Sequence, residues 1–443
     1  MTRTAPPAGP PTHSACPTPL VRPPLLACPT LNEGGFGTAL SGLTEPDGPA
    51  LRPVTLAGGL RAWAATGAAV SRAVLTDPRL TNDISEVGRP VQGFPVRRYP
   101  EDFFAHAPQL LSASGDRHRR MRRIVAPFFT AAAAAGTAAR LRCEAAQIIR
   151  SLAGRDRVDI VADLALPLAG ATVGEVLGIP PERRRTAVTA ALAASASAPG
   201  TEAARSAHRA FSRTVLQVIS AARRHPTPTA ATAVLHANRA GELTNAEMAG
   251  MLGMLLIGTI DSLATVIPAG TLLAMRCPDV GRGLSQRLGG GLGERPHHES
   301  VRGTGQTRAL TEEILRLNPP FQHTGWRFTR EPCRIAGISL PQGTVVIASL
   351  LSANLDPAVW PAPLRADPRR RAPSSHLSFG HGPHYCLGAA LGRQLVHDAL
   401  VGLFSRLPRL SLAAPADELT WHGSCLRRVN RLPVETHASA LTG

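Results

Sequence analysis

Lysine is absent from this chain: all 48 basic residues are arginine, set against 31 acids, for a formal charge of +17 over 443 residues. A basic nucleic-acid reader concentrates its charge in a stripe or a recognition motif. Here the arginines are spread, with one dense run from Arg117 to Arg123. The reading that follows is a solvated surface that can attract an acidic protein partner, with no nucleic acid. Aromatic residues are only 4% of the chain, so a core has to be filled by Leu, Ala and Val. Cysteine is sparse and unpatterned: residues 16, 28, 143, 277, 333, 386 and 425 include no CxxC pair. That argues against a zinc ribbon and a disulfide framework and fits a reducing, cytoplasmic compartment. The start of the chain lacks the basic opening and continuous apolar core of a signal peptide.

Met248 to Met275 is long and apolar enough to raise the question of a membrane span. Asp261 at its centre and Pro268 beyond it make a lipid-facing helix costly, so a buried helix, and no membrane, is expected. Residues 1–45 read as a Pro-rich disordered tail, 46–437 as one domain and 438–443 as a short C-terminal tail. Within the domain, Val54 to Thr66 reads as a strand region, and Asp116 to about His225 as helices broken at Pro180-Pro181 and at Pro226 and Pro228. Thr244 and Glu247 form a capping-box start for the long apolar helix. Residues 281–306, rich in Gly, His and Arg, read as a flexible loop. Arg308 to Leu317 is helical, Cys333 to Ile347 forms short strands about a Pro341-Gln342-Gly343 turn, and Gly388 to Leu407 is a final helix. The fold class is therefore mainly α with minor β sheets (α+β).

The run Phe379-Gly380-His381-Gly382-Pro383-His384-Tyr385-Cys386-Leu387-Gly388 puts one cysteine where a glycine-rich loop meets a helix. Glycines at 380 and 382 let the backbone turn tightly and approach a flat ligand. N–H groups at the helix start point toward the sulfur and lower its thiol pKa, which suits a metal ligand. Phe379 can shield the sulfur, and Gly388 permits close approach of a planar cofactor.

This run resembles the haem-binding signature F-x-x-G-x-x-x-C-x-G of the cytochrome P450 superfamily, matched at Phe379, Gly382, Cys386 and Gly388. The likeness is to the soluble bacterial, actinomycete-type members and extends from about residue 50 to 436. It implies a triangular haem-thiolate fold with haem b, Cys386 as axial iron ligand, and monooxygenase chemistry on a small molecule. It further implies electrons from NAD(P)H delivered through a separate ferredoxin and ferredoxin reductase, since no flavin or ferredoxin domain follows Gly388; Arg393 is a candidate contact. A monomer is expected, and secondary-metabolite tailoring is the setting common to such relatives.

Other segments carry the resemblance onward. Glu313 and Arg316, three apart on a helix, can pair on one face; the family adds a third member, here Arg370 in Ala366-Asp367-Pro368-Arg369-Arg370, where Ala366 departs from the usual Phe. The family's haem-propionate contacts fall on His118, Arg122, Arg327 and His384. Its proton-delivering acid and alcohol fall on Asp261 and Ser262, in Gly258-Thr259-Ile260-Asp261-Ser262. Thr259 replaces a usual Gly and Ser262 a usual Thr. A register one residue different would put Ile260 and Asp261 at the acid and alcohol positions, and Ser262 could instead bond back to its own helix. The resemblance places substrate among Met254, Leu255, Gly258, Thr259, Phe321, Gln322 and His323, near a loop at about 84–111; Gln322 and His323 either orient a polar substrate group or serve structure. Oxidative coupling, desaturation, peroxide-driven oxidation and a non-catalytic haem sensor or recruitment domain stay open as alternatives to oxygen insertion.

Overall fold

The computed structural model describes residues 18–19, 49–55, 60–88, 91, 108–196, 201–285, 301–370, 375–421, 426 and 428–437. The helices are α1 (Ala68–Thr76), α2 (Gly115–Val125), α3 (Ala131–Leu152), α4 (Leu166–Leu177), α5 (Pro181–Ala196), α6 (Glu202–Arg224), α7 (Ala230–Arg239), α8 (Asn245–Arg276), α9 (Pro278–Ser285), α10 (Val301–Leu317), α11 (Leu350–Asn354) and α12 (Ala389–Arg406). The strands are β1 (Thr18–Pro19), β2 (Leu51–Thr55), β3 (Arg61–Ala65), β4 (Leu80–Thr81), β5 (Arg157–Asp159), β6 (Arg327–Thr329), β7 (Cys333–Ile335), β8 (Ile338–Leu340), β9 (Val345–Ala348), β10 (Ser411–Leu412) and β11 (Pro433–Glu435). They form sheets in the orders β1-β2-β3-β9-β6-β4, β10-β11-β5 and β7-β8. The expected class, mainly helical with small sheets, is the observed one.

Helix α8 is the axis of the fold. Its capping box closes as the spacing predicts: the Thr244 hydroxyl accepts from the Glu247 N–H at 3.2 Å, and the Glu247 carboxylate accepts from the Thr244 N–H at 2.9 Å. It runs through Pro268 and stops at Cys277, before Pro278. It packs against α4, α5, α6, α7, α9, α10 and α12. Of the described helices, Ile160–Leu177 and Asn245–Arg276 are long and apolar enough to cross a membrane, and 72% of the most apolar window of each is buried inside the protein. The six-stranded sheet and the β7-β8 pair sit over smaller cores, around Leu51, Leu75 and Val346 and around Phe328 and Ile347, while Val158 and Val434 of the β10-β11-β5 sheet join the main core.

The expected loop at 281–306 is shorter than its composition suggested. Residues up to Ser285 continue α9, and α10 begins at Val301. The Gly-rich centre, 286–300, lies outside the described residues, as do most of the two tails and much of the loop at 84–111. Glycine lowered the helical signal there, yet Gly283 is tolerated because it lets α9 close onto Leu310, whose Cδ1 would lie 2.5 Å from an added Cβ.

Glu313, Arg316 and Arg370 meet where α10 packs on the segment after α11. Arg316 is fully buried and donates to both Glu313 oxygens, at 2.8 and 3.0 Å. It also donates to the carbonyls of Asn354, Pro363 and Arg365. Arg370 reaches Glu313 at 3.0 Å, and the Asp367 N–H adds a further donor at 2.9 Å. The buried charges are thus neutralised and bonded, the condition under which such a group survives burial.

Candidate functional site: a cysteine loop ringed by cations

The loop before α12 turns at Gly380 (φ +74°) and Gly382 (φ +72°), both in the left-handed region. Gly382 has a second constraint: an added Cβ would lie 2.7 Å from Thr76 Cγ2 and 3.1 Å from the Leu75 oxygen. The loop is therefore pressed on the end of α1. The Cys386 N–H donates to the Phe379 carbonyl at 2.9 Å, closing it. The Gly388 N–H donates to the sulfur and, with Arg122 and Arg393, stabilises the thiolate. Burial acts the other way and is larger, so the thiol sits above its usual pKa. The expected lowering by the helix start is present but outweighed; a coordinated metal ion supplies the missing stabilisation of a thiolate. Cys386 is exposed by surface area although burial dominates its chemistry. The two agree if the sulfur faces a space inside the protein, not its outer surface.

Four of the sequence-predicted residues gather around this loop. His118 on α2 stacks on His384, ring centroids 4.1 Å apart. Arg122, one turn on, acts on His118, His384 and Cys386. Arg327 on β6 is 4% exposed and reaches the Leu75 carbonyl, the oxygen against which Gly382 packs, at a long 3.5 Å. Arg327 also acts on His384, whose pKa burial and these cations push down to about 3. Burial alone pulls Arg327 down to about 10. Among the described residues, no carboxylate lies in ion-pair range of Arg122 or Arg327. Their neighbours differ: Arg117 and Arg120 bind Glu247, Arg119 binds Asp116 and Arg123 binds Glu242. The run expected to attract an acidic partner is thus largely neutralised internally.

On the other side of the cysteine, Phe379 lies under the Arg393 guanidinium, 4.2 Å from its ring centroid, and beside His376. Arg393 is bound to Glu312 at 2.9 and 3.1 Å and to the Tyr385 hydroxyl at 3.0 Å. Glu312 also accepts from His376 at 3.2 Å. Sequence reading missed this network, and its Arg393 is held inside it instead of standing free for a partner. The one available signal was the adjacency of Glu312 to Glu313, which puts the two acids on different sides of α10.

In the middle of α8, Met254, Gly258 and Ser262, spaced by four residues, are partly exposed while the turns around them are buried. A Cβ on Gly258 would meet nothing within 4 Å. One stripe of α8 therefore borders open space. Thr259 beside it is also partly exposed, whereas Leu255, expected to line a pocket, belongs to the main core at 6% exposure. Asp261 is 1% exposed; its carboxylate accepts from Ser195 at 3.0 Å and from Arg428 at 2.9 Å. Phe321, Gln322 and His323 lie between α10 and β6 and are partly exposed. The His323 Nδ1 contacts the Thr324 carbonyl at 2.8 Å, and burial holds the ring neutral by lowering its pKa.

A buried cation, Arg327, and a half-buried one, Arg122, both without an acid among the described residues and beside the cysteine loop, fit a planar metal complex that carries two carboxylates. The comparisons with known proteins decide what that complex is. A family model described as Cytochrome P450 matches residues 202–410. The cytochrome P-450 monooxygenase DoxA of Streptomyces peucetius subsp. caesius is 32% identical over 413 residues, covering 87% of this chain and 91% of DoxA. The chain belongs to the cytochrome P450 family. The 6-deoxyerythronolide B hydroxylase of Saccharopolyspora erythraea is 29% identical over 383 residues, 85% of this chain and 90% of that one. The tirandamycin C-bound P450 monooxygenase TamI superposes with a TM-score of 0.77 at 28% identity, covering 93% of this chain and all of TamI. This P450 is accordingly a haem-dependent monooxygenase, an oxidoreductase whose relatives are bacterial enzymes of secondary metabolism.

Proposed function

We propose that this P450 inserts one atom of dioxygen into a small, largely apolar secondary metabolite, with Cys386 as the axial ligand of haem b. The observation that carries this reading is the pair of cations with no acid among the described residues, Arg122 and Arg327, at the loop that bears Cys386. With His118 and His384 they are suited to hold the two haem propionates. Gly380 and Gly382 shape the ligand loop, the Gly388 N–H moderates the sulfur's charge, and Phe379 screens it from solvent. Thiolate-ligated haem supplies cleavage of dioxygen when electrons and protons reach it.

The remaining steps fall to the chain's own groups. Gly258 leaves room beside α8. Asp261 is the proton source, and the Ser262 hydroxyl holds the last water of the path by hydrogen bonding. Met254, Thr259 and Phe321 present the apolar wall, while Gln322 and His323 offer the polar points at which a substrate is oriented. The electrons come from NAD(P)H by way of a ferredoxin reductase and a ferredoxin, and the enzyme works as a cytoplasmic monomer. A compound panel screened for substrate-induced spin-state change, followed by turnover under isotopically labelled dioxygen, tests this. Label in the product is the expected result. Dehydrogenated or coupled product without label replaces insertion with desaturation or coupling, and binding without turnover leaves a haem sensor.

A further inference from the structure

The histidines of this site are of two kinds. His118 and His384 stack on each other and are both acted on by Arg122, with Arg327 adding to His384. His323 has no charged group acting on it among the described residues. Its Nδ1 lies 2.8 Å from the Thr324 carbonyl. A carbonyl oxygen can only accept, so the ring proton is on Nδ1 and Nε2 carries a bare lone pair. Burial lowers the pKa of the ring, which is neutral at neutral pH. Nε2 has no protein partner among the described residues, and it is not one of the buried atoms left without one, so it opens on space. The ring is partly exposed although burial dominates its chemistry, the same combination as at Cys386. Such a group faces an interior space.

The backbone that carries the ring is fixed on both sides. His323 bridges to Ser349 and Phe321 to Leu426, antiparallel in each case. The Thr324 N–H donates to the Ala348 carbonyl at 2.9 Å, the Ala348 N–H to the Thr324 hydroxyl at 3.1 Å, and the Leu351 N–H to the Gln322 carbonyl at 3.1 Å. Moving the ring proton to Nε2 would set the Nδ1 lone pair against the Thr324 oxygen at the same 2.8 Å. The ring therefore cannot change roles to suit a ligand. We propose that His323 selects substrates that carry a hydrogen-bond donor, a hydroxyl or an amide N–H, by offering Nε2 as a fixed acceptor in the substrate space. A donor on the substrate closes the bond. An ether or ketone at the same place sets its own lone pairs against that of Nε2 and strips both groups of water with no bond formed. A carboxylate is placed worse still, because the ring would have to take up a proton that its burial resists.

This inference rests on the reading that Phe321 to His323 border the substrate, and its test keeps the two apart. The haem-loaded protein carries nitrogen-15 in its histidines and is reduced and bound to carbon monoxide, so that the iron is diamagnetic. The His323 ring signals are assigned by their loss in His323→Phe. A proton on Nδ1 and a free acceptor at Nε2 are expected, with the Nε2 signal moving when cyclododecanol is added. Spin-state titrations of the oxidised protein use cyclododecanol, its methyl ether and cyclododecanone. The alcohol is expected to bind roughly tenfold more tightly than the other two. That preference is lost in His323→Phe and partly kept in His323→Gln, whose amide oxygen accepts. If His323→Phe does not fold, His323→Gln assigns the signals, and the ring signals and the wild-type preference carry the test. A proton on Nε2, an Nε2 signal indifferent to the alcohol, or a preference that survives His323→Phe overturns the proposal. If the alcohol changes the spin state but leaves Nε2 unmoved, His323 stands outside the substrate space and this inference alone fails. If the preference holds while labelled dioxygen does not enter the product, the insertion reading fails and selection by His323 stands.

Discussion

Replacing Arg327 with methionine should move the cofactor-free and haem-loaded proteins in opposite directions. Arg327 is 4% exposed, has no carboxylate partner among the described residues, and makes one long contact to the Leu75 carbonyl at 3.5 Å. Burial pulls its pKa from the ordinary guanidinium value down to about 10. At about 1.4 kcal/mol per pH unit, carrying this charge in the folded apoprotein costs on the order of 3 kcal/mol. Methionine is of similar length and carries no charge; it forfeits only the long contact, worth at most about 1 kcal/mol. The apoprotein should therefore gain about 2 kcal/mol, a rise of a few degrees in its unfolding temperature. On the proposed assignment of Arg327 to a haem propionate, the loaded protein would lose that propionate's cation, and leaving a buried charge without its partner costs about 3–5 kcal/mol. Because the apoprotein is stabilised while the loaded protein is weakened, the two effects add in binding, and haem affinity should fall by roughly four to five orders of magnitude. Calorimetry of protein prepared without haem reads the first effect, and the rate of haem transfer to an acceptor apoprotein reads the second. A destabilised apoprotein with unchanged haem affinity would refute the reasoning and make Arg327 a structural residue.

Replacing Cys386 with alanine should abolish the thiolate-type absorption of the reduced carbon monoxide adduct while far-ultraviolet circular dichroism is retained. Gly382→Ala combines a left-handed φ of +72° with a 2.7 Å approach to Thr76, a cost of about 2–5 kcal/mol, read as a lower denaturation midpoint. The control Gly241→Ala, at φ +76° with nothing within 4 Å, should cost only about 1–2 kcal/mol; equal losses at the two sites would show that contact with α1 contributes nothing. Arg316→Lys keeps the charge but not the fork that grips both Glu313 oxygens, so a loss of about 3 kcal/mol or more is expected in chemical denaturation.

What was legible in the sequence was local. The capping box at Thr244 and Glu247, the turn glycines at 380 and 382, and the three-residue step from Glu313 to Arg316 are set by backbone geometry over a few residues, and each appears as read. What was not legible depends on pairs that meet only after the chain has folded. Arg428 and Ser195 meet Asp261 from 167 residues after it and 66 before it, and Glu312, His376 and Arg393 come from three separate segments. The arginine run shows the same limit in reverse. Its composition suggested a free basic surface, but Glu242 and Glu247, far along the chain, pair with Arg117, Arg120 and Arg123. The loop at 281–306 was overextended because glycine weakens a helical pattern without always ending the helix, and at Gly283 close packing on Leu310 compensates.

The placement of unbalanced charge separates the two sides of this site. Of the buried arginines among the described residues, Arg316 and Arg428 each have an acid; Arg327 has none, and it lies at the cysteine loop with Arg122, which is half-buried and also has none among the described residues. Retaining two such cations within reach of two low-pKa histidines disfavours the cofactor-free protein, so the counter-charge has to come from what the site binds. On α8 the balance is internal: Asp261 has its cation in Arg428. Haem loading should therefore govern the stability of the cysteine side strongly and the charge state of Asp261 weakly. The cysteine loop and the Asp261–Arg428 pair are thus electrostatically separate, and neutralising Arg428 should change the charge state of Asp261 without loosening the haem.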